Sequence, residues 1–248
     1  MIAKIEEYDM KKVGDGLAAA NASWNFKGEV AQGFDAHVSK SVPLYYAGHQ
    51  LIANLSDFFI KNDSVCYEIG CSTGELTLTL AKHNGSKSGA RFIGIDVEAD
   101  MIKLAKQKQA KAQAENVNFE VEDALQYEFE SADLIVAYYT VQFIKPSQRQ
   151  VLIDNIYKKL NWGGAFILFE KVRANDARFQ DITTSLYNDY KLTQGYSPEE
   201  IFAKSVSLKG VLEPFSTQGN IDMMKRAGFV DITSVMKYVS FEGFLAIK

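Results

Sequence analysis

The sequence predicts an α/β fold with a seven-stranded, mostly parallel sheet that ends in an antiparallel hairpin. Three observations favour this fold. From residue 65 onwards, short apolar runs alternate with stretches of helical periodicity, which is typical of parallel strands covered on both faces. Small residues follow the first apolar run at alternating positions. The last two β-like runs, residues 230–239 and 241–247, are too close together for a parallel crossover.

Five apolar runs form the parallel part of the predicted sheet, at residues 65–69, 91–95, 117–121, 134–139 and 165–170. Other segments carry apolar residues at helical spacing. Pro146 stands just before one such segment, and Gly163 and Gly164 follow it, as expected at helix ends. Helices are therefore predicted at residues 42–59, 74–83, 99–113, 147–160 and 219–227.

Two regions interrupt this alternation. Residues 1–60 are predicted to form an N-terminal helical extension, in which residues 17–22 are small and helix-prone. The first 20 residues are open to two interpretations, a lid over the site or a disordered arm. Residues 61–248 form the predicted α/β domain. Within it, residues 173–217 are predicted to be a helical insert rich in aromatic and charged side chains.

The composition limits the functions that the chain can have. The net charge is −4 over 248 residues, which argues against bulk binding of nucleic acid. The N-terminus lacks the apolar core of a signal peptide, and no apolar run approaches the roughly 18 residues of a membrane helix. We therefore expect a cytoplasmic protein without nucleic-acid or membrane partners. Its two cysteines, Cys66 and Cys71, are interpreted as reduced thiols.

The stretch YEIGCSTG places Glu68, Gly70, Ser72 and Gly74 at alternating positions, with Cys71 inside the turn. Small residues here let the backbone turn tightly and approach a ligand at the start of the next helix. A dinucleotide site requires Gly-x-Gly-x-x-Gly and a phosphate loop requires Gly-Lys-Ser/Thr, and neither is present. A carboxylate before the turn suits a ligand with a cationic amine or sulfonium. S-adenosylmethionine has both groups.

The same residues also match Gly-x-Ser-x-Gly, the nucleophile elbow of α/β-hydrolases. That fold needs a histidine that follows the nucleophile in the chain, and His83 is the one histidine after Ser72. His83 lies on the helix that begins at the elbow, so it cannot readily return to the serine as a base. The hydrolase interpretation is therefore disfavoured.

Acidic residues also end two further predicted strands. Asp96 closes the run RFIGID, where an acid accepts hydrogen bonds from ribose hydroxyls. Asp123 follows the third strand, where a carboxylate can meet an adenine amino group. Each acid alone is equally consistent with a helix cap or a surface charge. Together with Glu68, they predict a cofactor site, and the neighbouring Val97 and Ala124 belong to it.

Other polar groups are weaker candidates. The three histidines are scattered, none lies near a cysteine or an acid at metal-ligand spacing, and no metal site is predicted. They are His37, His49 and His83, each interpreted as structural. Four lysines crowd the helix predicted at residues 99–113 and are interpreted as a solvated face. They are Lys103, Lys106, Lys108 and Lys111.

Longer segments resemble a known family. The segments are SWNF, HVSKSVPLYY, YEIGCSTG, TVQFIKPSQRQVLIDNIYKKLNWGGAFILFEKV, GYSPEEI and MMKRAGF. From about residue 24 to the C-terminus the chain resembles the carboxy-S-adenosylmethionine synthases, which share the Rossmann-like fold of class I methyltransferases. The resemblance implies a homodimer and a cofactor site at Tyr45, residues 70–72, Asp96 and Asp123. In that family, prephenate donates carbon dioxide to a ylide of S-adenosylmethionine, and an arginine holds the new carboxylate.

Two residues depart from the family pattern. Ser205 stands where the family has that arginine, and Tyr138 replaces an asparagine after the fourth strand. A serine cannot make the bidentate, permanently charged contact of an arginine, and Lys204 or Lys209 would offer only a flexible point charge. A tyrosine near the sulfonium narrows the pocket and adds cation–π attraction. Both changes favour ordinary S-adenosylmethionine over its carboxylated form.

The leading hypothesis is a methyltransferase that uses ordinary S-adenosylmethionine and a small-molecule acceptor on a synthase-like scaffold. Tyr45, Tyr138 and Tyr196 are candidates for the reactive end, and no catalytic base stands out. The aromatic residues of the insert predict a planar or apolar acceptor. Two alternatives stay open, namely a true synthase that uses prephenate and a non-catalytic protein that binds S-adenosylmethionine. A dehydrogenase is disfavoured by the broken glycine pattern.

Overall fold

The computed structural model describes residues 10–248, whose strands and helices are numbered in chain order. The strands are β1 (Lys11–Gly14), β2 (Leu17–Ala19), β3 (Val65–Ile69), β4 (Arg91–Asp96), β5 (Val117–Val121), β6 (Ala132–Tyr138), β7 (Leu160–Lys171), β8 (Asp231–Tyr238) and β9 (Phe241–Ile247). The helices are α1 (Glu29–Ser41), α2 (Tyr45–Ser56), α3 (Glu75–His83), α4 (Ala99–Ala112), α5 (Pro146–Lys159), α6 (Ala177–Thr193), α7 (Pro198–Ser207) and α8 (Thr217–Ala227).

The main sheet has seven strands in the order β5-β4-β3-β6-β7-β9-β8. The first five strands are parallel to one another, and β9 runs antiparallel to both β7 and β8. This arrangement confirms the predicted sheet and its C-terminal hairpin. The strand order reverses at β3, which lies between β4 and β6. Doubly wound sheets bind their ligands at such a point, outside the carboxyl ends of the strands.

Both faces of the sheet are covered by helices. Alternate side chains of β3 show this clearly, because Tyr67 and Ile69 pack in the core that contains residues of α5 and α8. Cys66 points to the opposite core, which contains residues of α2, α3 and α4. Burial on both sides explains why the strands read as nearly continuous apolar runs.

The N-terminal region differs from the predicted helical extension. Residues 17–22 do not form a helix, because β1 and β2 pair as an antiparallel hairpin. Asp15 and Gly16 make its two-residue turn with φ values of 53° and 78°. Asp-Gly is a strong signal for a hairpin turn of this kind, and the small, helix-prone residues after it obscured that signal.

This hairpin packs on the helical insert. Val13 and Leu17 share a small apolar core with Trp24 and with Ala203 of α7. The helical prediction holds for the rest of the N-terminal region, where α1 and α2 follow. The question of a lid or an arm concerns in part residues 1–9, which lie outside the described residues.

The insert itself is largely helical, as predicted. Its first helix, α6, begins after Asp176, whose side chain accepts a hydrogen bond from the Phe179 backbone N–H at 3.1 Å. Its second helix, α7, begins with a capping box between Ser197 and Glu200. Across residues 10–248, none of the helices combines the length and apolarity needed to cross a bilayer.

A polar cluster attaches α1 to the α/β body. The Lys108 ammonium group on α4 donates to Asp35 of α1 at 2.6 Å, to Glu75 at 2.6 Å and to Thr73 at 2.9 Å. The interpretation of the α4 lysines as a solvated face is therefore wrong for Lys108. It holds for the three exposed lysines of that helix, Lys103, Lys106 and Lys111.

We expect Lys108→Met to lower the free energy of unfolding by about 1–2 kcal/mol, because it removes charge-assisted hydrogen bonds that join α4 to α1 and α3. Chemical denaturation measures this change. Lys103→Met on the exposed face of α4 is the matched control and should leave stability nearly unchanged. Equal losses in the two variants would show that the Lys108 cluster does not hold α1.

Candidate active site

A cavity of about 440 Å³ lies at the carboxyl ends of the parallel strands. Residues that end or follow β3, β4, β5 and β6 form one wall, and α1, α6 and α7 contribute to the other. Most residues of the predicted cofactor site line this cavity. They are Tyr45, Glu68, Gly70, Cys71, Ser72, Asp96, Val97, Asp123, Ala124 and Tyr138.

The turn after β3 has an alternating left-handed backbone. Gly70, Ser72 and Gly74 have φ values of 70°, 49° and 79°. The Gly70 and Cys71 backbone N–H groups both donate to the Ile95 carbonyl of β4, at 2.8 and 3.0 Å. The alternation of small residues in the sequence therefore matches the positions where the backbone needs positive φ, and the turn is fixed against β4.

Gly74 has a different role from its neighbours in the turn. It does not belong to the residues that line the cavity. A Cβ atom at this position would lie 2.5 Å from the Phe119 ring and 3.0 Å from Ala105. Gly74 is thus required for close packing of the turn against β5 and α4, and its direct contact with a cofactor is not supported.

Glu68 is buried at the base of the cavity, with 4% of its surface exposed. Its carboxylate accepts a short hydrogen bond from the Thr77 hydroxyl of α3. Burial raises the pKa of the Glu68 carboxyl to about 8, although Thr77 opposes the shift. A cationic ligand group in the cavity would favour the ionised form of this carboxylate.

Asp96 and Asp123 stand at the ends of neighbouring strands. Asp96 accepts hydrogen bonds from the backbone N–H groups of Ser72 and Glu98, each at 2.9 Å. Burial raises the pKa of Asp96, although these bonds oppose the shift. Asp123 accepts a 2.9 Å bond from the Leu125 backbone N–H through one oxygen. Both carboxylates keep lone pairs for a ligand, since each oxygen can accept two bonds.

Tyr45 and Tyr138 meet at the edge of the cavity. Their ring centroids are 5.2 Å apart, and the Tyr138 hydroxyl donates to the Tyr45 backbone carbonyl at 2.6 Å. The same hydroxyl occupies the space beside Gly48, where a Cβ atom would lie 2.2 Å from it. Tyr138 therefore fills space under α2 in addition to lining the cavity.

Tyr196 does not line the cavity. Its hydroxyl donates to Asp15 in the turn of the N-terminal hairpin, and it lies 3.3 Å from the Ser41 hydroxyl. His37 of α1 lines the cavity and contacts Asp15 through Nδ1 at 2.8 Å. Burial lowers the pKa of His37 to about 4. This geometry supports Tyr196 as a group that fixes the hairpin, and not as one that borders the reacting atoms.

Ser205 and the two lysines considered as substitutes for the family arginine differ in their position relative to the cavity. Ser205 lines the cavity, and its hydroxyl donates to the Phe202 carbonyl at 2.7 Å. Lys204 also lines the cavity, and its ammonium group lies over the Trp24 ring. Lys209 is exposed and does not line the cavity.

Sequence reasoning missed the basic end of the cavity. Lys171 at the end of β7 and Lys191 on α6 line it together with Tyr187. Burial lowers the pKa of both lysines to about 8 and that of Lys204 to about 6. The three lysines come from β7, α6 and α7, so only the fold brings them together.

The two thiols and two of the histidines are held by packing or by surface contacts. Both thiols are free and buried, and burial raises the pKa of Cys66 and Cys71. His49 packs between Tyr45 and Tyr138, and His83 lies 3.0 Å from Asp57 on the surface. Within residues 10–248, no three His, Cys, Asp or Glu side chains come together as a metal site.

The architecture and the acidic strand ends are those of class I S-adenosylmethionine-dependent methyltransferases. A family model for a methyltransferase domain matches residues 67–164. Solved structures agree at the level of the fold. Human N-acetylserotonin methyltransferase in complex with SAM aligns with a TM-score of 0.57 and 20% identity, over 88% of this chain and 57% of that one. A phosphoethanolamine N-methyltransferase of Haemonchus contortus in complex with S-adenosyl-L-methionine has a TM-score of 0.60 and 17% identity, over 90% and 57% of the chains.

Curated relatives define the family more closely. A carboxy-S-adenosyl-L-methionine synthase of Staphylococcus epidermidis is 38% identical over 91% of this chain and 97% of its own length. Its counterpart in Campylobacter jejuni is 39% identical over 91% of this chain and 94% of its own. The chain belongs to the carboxy-S-adenosyl-L-methionine synthase family. It is a transferase for which S-adenosylmethionine is the cofactor or a substrate.

Glu68→Gln tests the burial of the cavity carboxyl. The folded pKa of about 8 lies above the ordinary value of 4.5, so folding is penalised progressively as the pH rises through this window. The glutamine of Glu68→Gln does not ionise, so the stability of the variant has no such dependence on pH at this position. Its unfolding temperature relative to wild type should therefore increase between about pH 5 and pH 8.

Thermal unfolding of the unliganded protein at several pH values measures this trend. Glu115→Gln, at an exposed position after α4, controls for the loss of one carboxylate. A difference between Glu68→Gln and wild type that stays constant with pH would contradict the raised pKa.

Proposed function

We propose that the chain transfers a methyl group from ordinary S-adenosylmethionine to a small molecule. The observation that carries this proposal is the side chain at position 205. Where the resemblance implies an arginine, Ser205 lines the cavity and its hydroxyl is bonded to the Phe202 carbonyl. A cofactor carboxylate would therefore lack the charged, two-point contact that distinguishes it from the ordinary cofactor.

The residues of the cavity fit the groups of S-adenosylmethionine. Glu68 and the turn at residues 70–72 are assigned to the methionine end, whose amine is cationic. Asp96 is assigned to the ribose hydroxyls and Asp123 to the adenine amino group. The bound cofactor supplies a methyl group on a positively charged sulfur. The chain contributes mainly by holding the acceptor in line with that group, which is a positioning effect.

Tyr45 and Tyr138 are the candidates that remain at the reactive end. Both present aromatic surface to the cavity, which attracts a sulfonium through cation–π contact. Burial raises the pKa of both phenols, so neither is suited to act as a base near neutral pH. Their proposed role is to bind and orient. The acceptor proton leaves to a base that we do not assign.

A true synthase is the second candidate, and a specific observation favours it. Lys171, Lys191 and Lys204 all line the cavity and could hold the carboxylates of prephenate or of the carboxylated cofactor. Such contacts would replace the missing arginine with point charges. The two candidates differ in what they make from S-adenosylmethionine and prephenate.

Product analysis separates the two candidates. The purified protein is incubated with S-adenosylmethionine, with and without prephenate, and small molecules are identified by mass spectrometry. We expect no carboxy-S-adenosylmethionine in either reaction. We also expect S-adenosylmethionine or S-adenosylhomocysteine to copurify with the native protein. Prephenate-dependent formation of the carboxylated cofactor would overturn the methyltransferase proposal.

Ser205→Arg provides the matched binding test. Wild type should bind S-adenosylhomocysteine at least about tenfold more tightly than carboxy-S-adenosylmethionine, and the arginine should reverse part of that preference through a bidentate contact. Isothermal titration calorimetry measures both affinities. An unchanged preference in the variant would show that position 205 does not select the cofactor.

The resemblance implies that the chain pairs with a second copy of itself, and this dimer stays a prediction. The cytoplasmic location also stays a prediction. α6 presents Phe179, Ile182 and Leu186 to solvent with 55%, 48% and 51% of their surface exposed. Their spacing places them along one side of the helix. This apolar side is the surface that we propose for the contact between two copies.

A further inference from the structure

The basic end of the cavity is organised around one tyrosine ring. The Lys171 ammonium lies 4.3 Å and the Lys191 ammonium 4.6 Å from the centroid of the Tyr187 ring. The Tyr187 hydroxyl donates to the Ser41 carbonyl at 2.8 Å, which fixes the ring between α6 and α1. Two cationic groups are therefore held against the same ring at the wall of the cavity.

No carboxylate of the described chain offsets these charges. Among residues 10–248, neither Lys171 nor Lys191 forms a salt bridge. The acidic residues of the cavity lie instead on β3, on α3 and at the ends of β4 and β5, where we propose that the cofactor binds. Burying two neighbouring ammonium groups without an anion is unfavourable, so the arrangement is explained best by a ligand that supplies one.

Two hydroxyl groups at the same end also lack partners. In the part of the chain that the structure describes, the buried Tyr139 hydroxyl and the Ser240 hydroxyl make no hydrogen bond. Both residues line the cavity. Ser240 directly precedes Phe241, which pairs with Lys171 between β9 and β7. Buried hydroxyls are usually satisfied, so two unpaired ones among residues that line the same cavity as the lysines indicate an acceptor-rich ligand.

Tyr139, which lines the cavity, has a strained backbone conformation. Its φ of 58° is unusual for a bulky residue and follows directly on the end of β6. The Tyr139 N–H donates to the Phe169 carbonyl at 2.8 Å, which holds the turn. Its ring packs against Phe241 at 5.8 Å between centroids. This turn places Tyr139 among the residues that line the cavity.

We propose that Lys171 and Lys191, together with the hydroxyls of Tyr139 and Ser240, bind a carboxylate of the methyl acceptor. The acceptor is then a small organic anion whose planar or apolar body lies against Tyr187 and other aromatic side chains. The assignment as acceptor rests on the proposed methyltransferase function. The carboxylate site itself rests only on the geometry of these four residues.

Matched ligand pairs test the carboxylate site. Benzoate and 4-hydroxyphenylacetate are titrated by calorimetry into the protein saturated with S-adenosylhomocysteine, and the neutral benzamide and 4-hydroxyphenylacetamide serve as their partners. We expect at least one carboxylate to bind about tenfold or more tightly than its amide, because the amide cannot accept charge-assisted bonds from two ammonium groups. Equal affinities within both pairs, or no binding of either carboxylate, would overturn the proposal.

Two variants locate the effect. Lys191→Gln should abolish the preference for the carboxylate, while Lys103→Gln on the exposed face of α4 should keep it. Lys171→Met should abolish the preference and also raise the unfolding temperature of the unliganded protein, because it removes a buried charge that has no partner. A lysine with a purely structural role would show the opposite change in stability. Carboxylate preference that survives in both Lys191→Gln and Lys171→Met would refute the site.

Failure of the proposed methyltransferase function gives a different result from failure of the carboxylate site. If the protein does not bind S-adenosylhomocysteine, the cofactor assignment fails, and the carboxylate and amide pairs are then compared without it. If the carboxylate preference is present but prephenate yields carboxy-S-adenosylmethionine, the site binds the carbon dioxide donor and the methyl acceptor assignment is wrong.

Discussion

The position of β3 between β4 and β6 is the constraint on which the rest of the structure depends. Because the strand order reverses there, the helix that follows β3 and the chain that follows β6 leave the sheet in different directions, and a cavity opens between them. The turn after β3 is then tied to β4 by the two bonds to the Ile95 carbonyl. The acids of three strand ends reach the same space only because that register is fixed.

The acidic and the basic side chains of the cavity lie at different ends. Glu68, Asp96 and Asp123 belong to the end formed by the first three parallel strands, whereas Lys171 and Lys191 belong to the end formed by β7 and α6. Such a separation suits a reaction between a cationic group donor and an anionic acceptor. The acidic end would attract the cationic donor, and the basic end would attract the anionic acceptor. Repulsion between like charges would disfavour binding of either ligand at the opposite end.

The regular part of the fold could be predicted because its signals are local. Apolar runs of strand length predict the sheet, and the short gap before Phe241 predicts the hairpin. The N-terminal hairpin was missed although Asp15 and Gly16 carry a hairpin signal, because neighbouring small residues suggested a helix. Gly74 was predicted to bind the ligand, and the structure places it against Phe119 and outside the cavity lining; spacing alone cannot separate these two kinds of glycine.

The basic end of the cavity could not be predicted in the same way. Nothing in the sequence distinguishes Lys191 from Lys108. In the structure, however, Lys108 forms ion pairs with Asp35 and Glu75, whereas Lys191 has no acidic partner within the described residues. This difference depends on which helices meet, which is a property of the tertiary structure. The acids at strand ends were visible because strand ends converge by rule, and no such rule collects side chains from an insert.

The effect of having Ser205 where the resemblance implies an arginine depends on Lys171 and Lys191. An arginine at this position would add a third cation that grips a carboxylate in two places. Without it, the remaining positive charge is carried by ammonium groups on flexible stems, which attract an anion but fix its orientation less strictly. Aromatic contacts with Tyr187 and the strained Tyr139 must then supply the orientation, since methyl transfer is sensitive to alignment. Under the proposed methyltransferase function, the recognition of a carboxylate would therefore move from the cofactor to the second substrate.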